Sequence, residues 1–285
     1  MAERLIQYPL GVAGVTTRVL EAGRGDRVIV FVHGLSTRAD RWRGNVQALA
    51  GPDLRCLAFD LPGHGLADKP AGFDYGVPGL ARYLGGVLDA LGIERCMIVS
   101  TSLGSHVAGW FAVHAPQRVS GHLIVAGLGL VPIAEETGQA IRRSVRDTSR
   151  EGIRAKLGNV FADPATHATE ALVEEEWRCN NSPGALQALS ALGDYVATGL
   201  NADVVGERVA ALLPQTSVQL LWGEHDRIVP AAVADAARRV LPTVPLHQIA
   251  GAGHAPYIEN PDAFHVQVRA FAAQLGVPAS AQSAG

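Results

Sequence analysis

Apolar runs of strand length alternate with segments of helical period through the first 126 residues. Val12–Glu21 and Arg27–Val32 predict strands around a glycine-rich turn, and Leu54–Phe59 predicts a third. Tyr75–Leu91 carries apolar side chains at Leu80, Leu84, Val87, Leu88 and Leu91, the spacing of one helix face. Glu94–Val99 and Val119–Ala126 are two further apolar runs, separated by a small-residue segment, Leu103–Ala115, that predicts a helix. A parallel connection needs a dozen or more residues and lays a helix on the sheet. Strand and helix in alternation therefore predict an α/β fold, a mostly parallel sheet with helices on both faces.

The alternation stops near Val131. As far as Leu213 only helical stretches follow, broken at Gly152, Gly158, Pro164, Pro183, Gly193 and Gly199. It resumes with strands at Ser217–Trp222 and Val244–Ile249 and helices at Ala231–Leu241 and Ala263–Leu275. Residues 1–130 and 213–276 are thus expected to form the sheet core. Residues 131–212 are expected to form an inserted all-helical cap over the sheet's carboxyl edge, and residues 277–285 a flexible Ala/Ser-rich tail.

Composition narrows the function classes. At 285 residues with 48% hydrophobic and 18% charged side chains, the chain reads as a folded protein with a large core. A formal net charge of −3 without a long basic run excludes nucleic acid as the expected partner. No stretch reaches the roughly 18 apolar residues of a membrane span, so no membrane partner is expected. Cys56, Cys96 and Cys179 are odd in number and far apart. They read as reduced thiols, which with the absence of a leader-like start gives a cytoplasmic expectation. Arg24-Gly25-Asp26 matches an adhesion tripeptide but sits in a Gly/Asp turn, its simpler explanation. The pattern does not choose between monomer and homodimer.

The candidate chemistry starts at Ser100-Thr101-Ser102-Leu103-Gly104, where a strand gives way to a helix among small residues. A serine at such a turn has its hydroxyl pushed outward. It needs a base within hydrogen-bond reach, and the base needs an acid to fix its tautomer. His254, in Gly251-Ala252-Gly253-His254-Ala255-Pro256, and Asp226, after Gly223-Glu224-His225, each follow a later strand. Carboxyl ends of parallel strands are where distant residues can converge. Phe31-Val32-His33-Gly34-Leu35 ends another strand with a glycine that allows the backbone to turn. That aims the N–H of Leu35 beside that of Leu103 as an oxyanion hole.

Each residue also has a simpler role. Ser102 could cap the following helix, and Asp226 could cap the turn before Pro230. His33 and His64 read as braces for the loops around the site. Arg142, Arg146, Arg150 and Arg154 fall opposite Ile141, Val145, Ile153 and Leu157, so they are expected to face water. Glu174 and Arg178 are spaced as an exposed helix pair. No histidines have ligand spacing, so neither metal nor other cofactor is expected.

In these motifs and their order the chain resembles an α/β-hydrolase with a helical cap, from His33-Gly34 and Asp60-Leu61-Pro62-Gly63-His64-Gly65 to Gly253-His254-Ala255-Pro256. It departs from the family elbow at Ser100 and Ser105, where relatives carry glycine. The resemblance implies a small-molecule substrate and a serine hydrolase cleaving a carboxylic ester or lactone. A second implied activity is C–C cleavage of ring-cleavage products in aromatic degradation. Leu20-Glu21-Ala22-Gly23, Trp42-x-x-Asn45 and Arg150-Glu151-Gly152-Ile153 are similar to segments of that group. There a lid arginine binds the dienoate carboxylate, and Arg178, beside Trp177, is the position that matches. Against this reading, Leu35-Ser36-Thr37 replaces a Gly-rich loop and Ala255 replaces a tryptophan. A cofactor-free oxygenase or a ligand receptor is the third implied class.

Overall fold

The structure, a computed structural model, describes residues 3–276; the tail expected at 277–285 lies outside them. Eight strands form one sheet: β1 (Ile6–Val12), β2 (Val15–Ala22), β3 (Arg27–Val32), β4 (Leu54–Phe59), β5 (Cys96–Thr101), β6 (Val119–Val125), β7 (Ser217–Gly223) and β8 (Leu246–Ile249). Their spatial order is β1-β2-β4-β3-β5-β6-β7-β8. β2 runs antiparallel to both neighbours, and all pairs from β4–β3 to β7–β8 are parallel.

The strands expected around the glycine-rich turn, β2 and β3, do not pair with each other. β4 lies between those two strands, and the hairpin is β1–β2, closed by Ala13 and Gly14. Both turn residues have positive φ (49° and 79°), the geometry that matches the twist of paired strands. The first seven-residue strand escaped the sequence pattern because it is a half-exposed edge with Pro9 and Gly11 within it.

Neighbouring side chains along the central strands point to opposite faces. Val28, Val30 and Val32 of β3 enter one core, and Ile29 and Phe31 enter the other. α1 (Arg43–Leu49) supplies Val46 and Leu49 to the second core. α2 (Val77–Ala90) and α3 (Leu103–His114) cover the first core.

Between β6 and β7 the structured elements are helical. α4 (Glu135–Arg146) packs on α8 (Ala185–Thr198), and α5 (Arg150–Val160) on α7 (Glu170–Asn180), with the short α6 (Pro164–His167) beside α5. α9 (Gly206–Ala210) instead touches α3 and α10 (Ala231–Val240). The chain ends its described part with α11 (Pro256–Glu259) and α12 (Pro261–Gln274). No helix among the described residues is long and apolar enough to cross a membrane.

The arginine stripe belongs to two helices, because the chain breaks at Asp147-Thr148-Ser149 and Ser149 caps α5. Its members are tied to neighbouring insert helices. Arg146 pairs with Asp194 at 2.7 Å, Arg150 with Glu174 at 2.7 Å and Arg154 with Glu170 at 2.8 Å.

Candidate active site

Ser102 stands between β5 and α3 with φ 54° and ψ −124°, a conformation costly for any residue but glycine. Its side chain makes no cap hydrogen bond, so the simple helix-cap reading does not describe it. The turn is held by the backbone: Ser102 N–H donates to Val125 O, and Ser102 O accepts from Ser105 and Leu128. At Gly104 a Cβ would come within 2.3 Å of His33 O, so only glycine permits this approach of helix to loop.

The two departures from the family elbow satisfy each other. Ser100 Oγ lies 3.1 Å from Ser105 Oγ and 2.6 Å from Nε2 of His122 on β6, and all three residues are buried. Burial pushes the His122 imidazole down to about 3, so it stays neutral, with Nε2 hydrogen-bonded to the Ser100 hydroxyl. Serines larger than glycine are accommodated here because each hydroxyl has a partner.

Asp226 follows β7. Its Oδ1 accepts from the amides of Ile228 (2.8 Å) and Val229 (2.9 Å), and its Oδ2 lies 2.9 Å from His254 Nδ1. The turn-cap role and the histidine contact are therefore simultaneous. A carboxylate without its own proton can only accept, so Nδ1–H is the donor and Nε2 is left with a free lone pair.

The His254 loop is fastened from two sides. His254 N–H donates to Val160 O at 2.7 Å, at the end of α5. Glu259 accepts from the amides of Gly253 (2.7 Å) and Ala162 (2.6 Å). Sequence reasoning missed Glu259, whose only signal was a carboxylate five residues beyond His254.

His33 and His64 occupy the bracing positions expected of them. The amide of Leu61 donates to His33 Nε2 at 2.9 Å, which requires a neutral ring and leaves Nδ1–H to donate to Gly34 O at 2.7 Å. Burial holds the two rings down, His33 to about 4 and His64 to about 3. The loop that carries Leu35 is fixed in this way. Asp60 sits beneath it, fully buried, accepting from Arg18, Ala39 and Leu66.

Ser102 and His254 line one cavity of about 560 Å³, together with Gly34, Leu35, Leu128 and Ile228 from the core. Ile141, Val145, Ile153 and Leu157 of the insert close it. No hydrogen bond joins the Ser102 hydroxyl to His254 in this conformation. Leu103 is buried beneath Ser102, and neither its amide nor that of Leu35 has a protein acceptor among the described residues.

The two residues expected to contact the substrate, Arg178 and Trp177, do not line this cavity. Arg178 points outward, its side chain 72% exposed and paired with Glu174 at 2.8 Å. Trp177 is covered by the guanidinium of Arg150, 3.6 Å above its ring, and neither residue lines the cavity. Both lie on a face of α7 that turns away from the site. The cationic groups that do reach it are Arg41, Lys156 and Arg227.

Comparison with known proteins identifies the class. Residues 27–261 match the alpha/beta hydrolase fold family, and the chain belongs to it. It is 30% identical over 261 residues to a 2-hydroxy-6-oxononadienedioate/2-hydroxy-6-oxononatrienedioate hydrolase of Burkholderia vietnamiensis, covering 88% of each chain. It is equally 30% identical over 264 residues to the dihydrolipoyllysine-residue acetyltransferase component of the acetoin cleaving system of Cupriavidus necator, covering 90% of this chain and 67% of that one. A solved 2-hydroxy-6-oxo-6-phenylhexa-2,4-dienoate hydrolase from a Rhodococcus species superimposes with a TM-score of 0.84 at 22% identity, over 94% of this chain and 98% of the other. The protein is an enzyme of the hydrolase class.

Proposed function

We propose that this hydrolase cleaves small carboxylic esters or lactones through an acyl-enzyme, with Ser102 as nucleophile, His254 as base and Asp226 as its orienting acid. The observation that carries this reading is the strained, uncapped Ser102 facing the same cavity as a histidine whose Nδ1 is engaged by a buried carboxylate. His254 Nε2 takes the Ser102 proton as Oγ attacks the carbonyl carbon. The tetrahedral oxyanion is held by the Leu35 and Leu103 amides, each worth on the order of 100-fold or more in rate. His254 returns the proton to the leaving alkoxide, and water, deprotonated in turn by His254, hydrolyses the acyl-enzyme. The attack requires Oγ to rotate into hydrogen-bond reach of Nε2, a tightening that apo sites commonly await. The helical insert acts as the cap, its apolar residues excluding bulk water from the reacting carbonyl.

C–C cleavage of a dienoate is the second reading, favoured by the names of relatives at 30% identity. Weighing against it are Ala255 in place of a tryptophan and Leu35-Ser36-Thr37 in place of a Gly-rich loop. A panel of ethyl esters, γ-lactones and coloured ring-cleavage dienolates, assayed with wild type and S102A, separates the two. Ester or lactone turnover lost in S102A supports the first reading. Bleaching of the dienolate without ester turnover replaces it with the second.

A further inference from the structure

One wall of the cavity carries charge out of keeping with its apolar lining. Arg41, on the turn Ala39–Trp42, and Glu176 of α7 are both buried there, and Lys156 reaches the cavity from α5. Four guanidiniums (Arg18, Arg38, Arg41, Arg43) and four carboxylates (Asp40, Asp60, Glu175, Glu176) form one connected network that balances. Lys156 stands outside it. Its Nζ donates to Ser36 Oγ at 2.9 Å and has no carboxylate within salt-bridge distance among the described residues. Lys156 and Arg227, which donates to the carbonyls of Gly158 and Phe161, are the cations of the lining outside that network, and Glu136 of α4 is the carboxylate outside it.

Arg41 is the second feature. Its Nη2 gives one hydrogen bond to Glu176 Oε1 at 3.1 Å, while its Nε is buried without a partner. A buried donor left without an acceptor is destabilising, and an ammonium without a counter-ion in an apolar cavity is more so. Glu176 gives Arg41 a single contact, through an Oε1 that Arg38 (2.9 Å) shares. Burial also lowers the Lys156 ammonium from its usual value, although Glu176 opposes that shift.

We propose that Lys156 and Arg41 form a seat for a carboxylate on the substrate, so that the enzyme prefers esters or lactones bearing a second, ionised carboxyl group. The proposal rests on the hydrolase reading given above and adds the substrate's charge to it. Ser36 links the seat to the chemistry. Buried, with φ 57°, it holds Lys156 through Oγ and is the residue after Leu35, whose amide the hydrolase reading assigns to the oxyanion hole. One residue advances the chain by only about 3.8 Å. The spacer between carboxylate and scissile carbonyl is therefore short, a few methylenes. No step of the chemistry changes: the carboxylate keeps its charge and is not transferred.

The test compares monoethyl glutarate with ethyl pentanoate, which differ by a carboxylate in place of a methyl group, using wild type, K156M and K156R. Wild type is expected to favour the anionic ester about 10- to 100-fold in kcat/KM, chiefly through KM. K156M abolishes the ratio and K156R keeps most of it. Calorimetric titration of glutarate into S102A gives a readout independent of turnover, with binding lost in S102A/K156M. Equal rates for the two esters, or a preference that survives K156M, overturns the seat. If neither ester is hydrolysed yet S102A binds glutarate through Lys156, the seat stands and the ester chemistry falls instead.

Discussion

The rim of the sheet and the helical insert face each other across one cavity, yet they are held in different ways. At the rim, position is imposed by backbone contacts and by neutral buried side chains: the strained Ser102, Gly104 against His33 O, and the imidazoles of His33 and His122. In the insert, helices are tied on their outer faces by exposed ion pairs such as Arg150–Glu174 and Arg154–Glu170. Exposed pairs contribute about 0–1 kcal/mol each, whereas a close glycine contact or a buried acceptor tolerates almost no change. One half of the site is therefore rigid by construction, and the other can be altered to suit a substrate.

The largest expected effect lies at the rim. S102A should lower kcat for an ethyl ester by about four orders of magnitude or more. S102G should do the same while raising the urea midpoint, because glycine accepts φ 54° and releases strain of order 1 kcal/mol. A midpoint that drops in S102G would mean the serine side chain, rather than the backbone, holds the elbow.

Acid should act on the same rim. Three of the buried histidines stay neutral in the fold, His33 down to about pH 4 and His64 and His122 down to about pH 3. An unfolded histidine takes up its proton near pH 6.5. Below 6.5 the unfolded chain binds more protons, so stability present at neutral pH falls progressively toward pH 4. Each histidine contributes about 1.4 kcal/mol per pH unit at most. Urea titrations at pH 7 and pH 5 should differ by a few kcal/mol, and a flat profile would contradict neutral burial. G104A follows, with about 3 kcal/mol of destabilisation as its methyl meets His33 O. R150A in the insert should cost less than about 1 kcal/mol, despite losing both Glu174 and the face of Trp177.

The same contrast explains what could be read from the residues. The strand-to-helix alternation, the elbow at Ser102 and the order Ser102, Asp226, His254 are local patterns with strong backbone consequences, and they were legible. The edge strand β1 was not, because half-exposed strands with Pro9 and Gly11 give no clear alternation. In the insert, helical period gave the elements but not their orientation. Arg178 and Trp177 share α7 with Glu176, and only the last faces the cavity. Lys156 did leave a signal. It falls with Ile153, Leu157 and Val160 at i, i+3, i+4 and i+7, a lysine on an apolar stripe. Arg41 left none, since its burial follows from the tertiary packing of the loop after β3.

The central claim is that one hydroxyl among several in the cavity is made reactive. Ser36 and Ser144 line the same space but have no base fixed by a carboxylate. Labelling with a fluorophosphonate and locating the adduct by peptide mass spectrometry tests this directly. The account predicts a single phosphonylated residue, Ser102, with labelling slowed by orders of magnitude in H254A. An adduct on Ser36 or Ser144, or undiminished labelling of Ser102 in H254A, would contradict it.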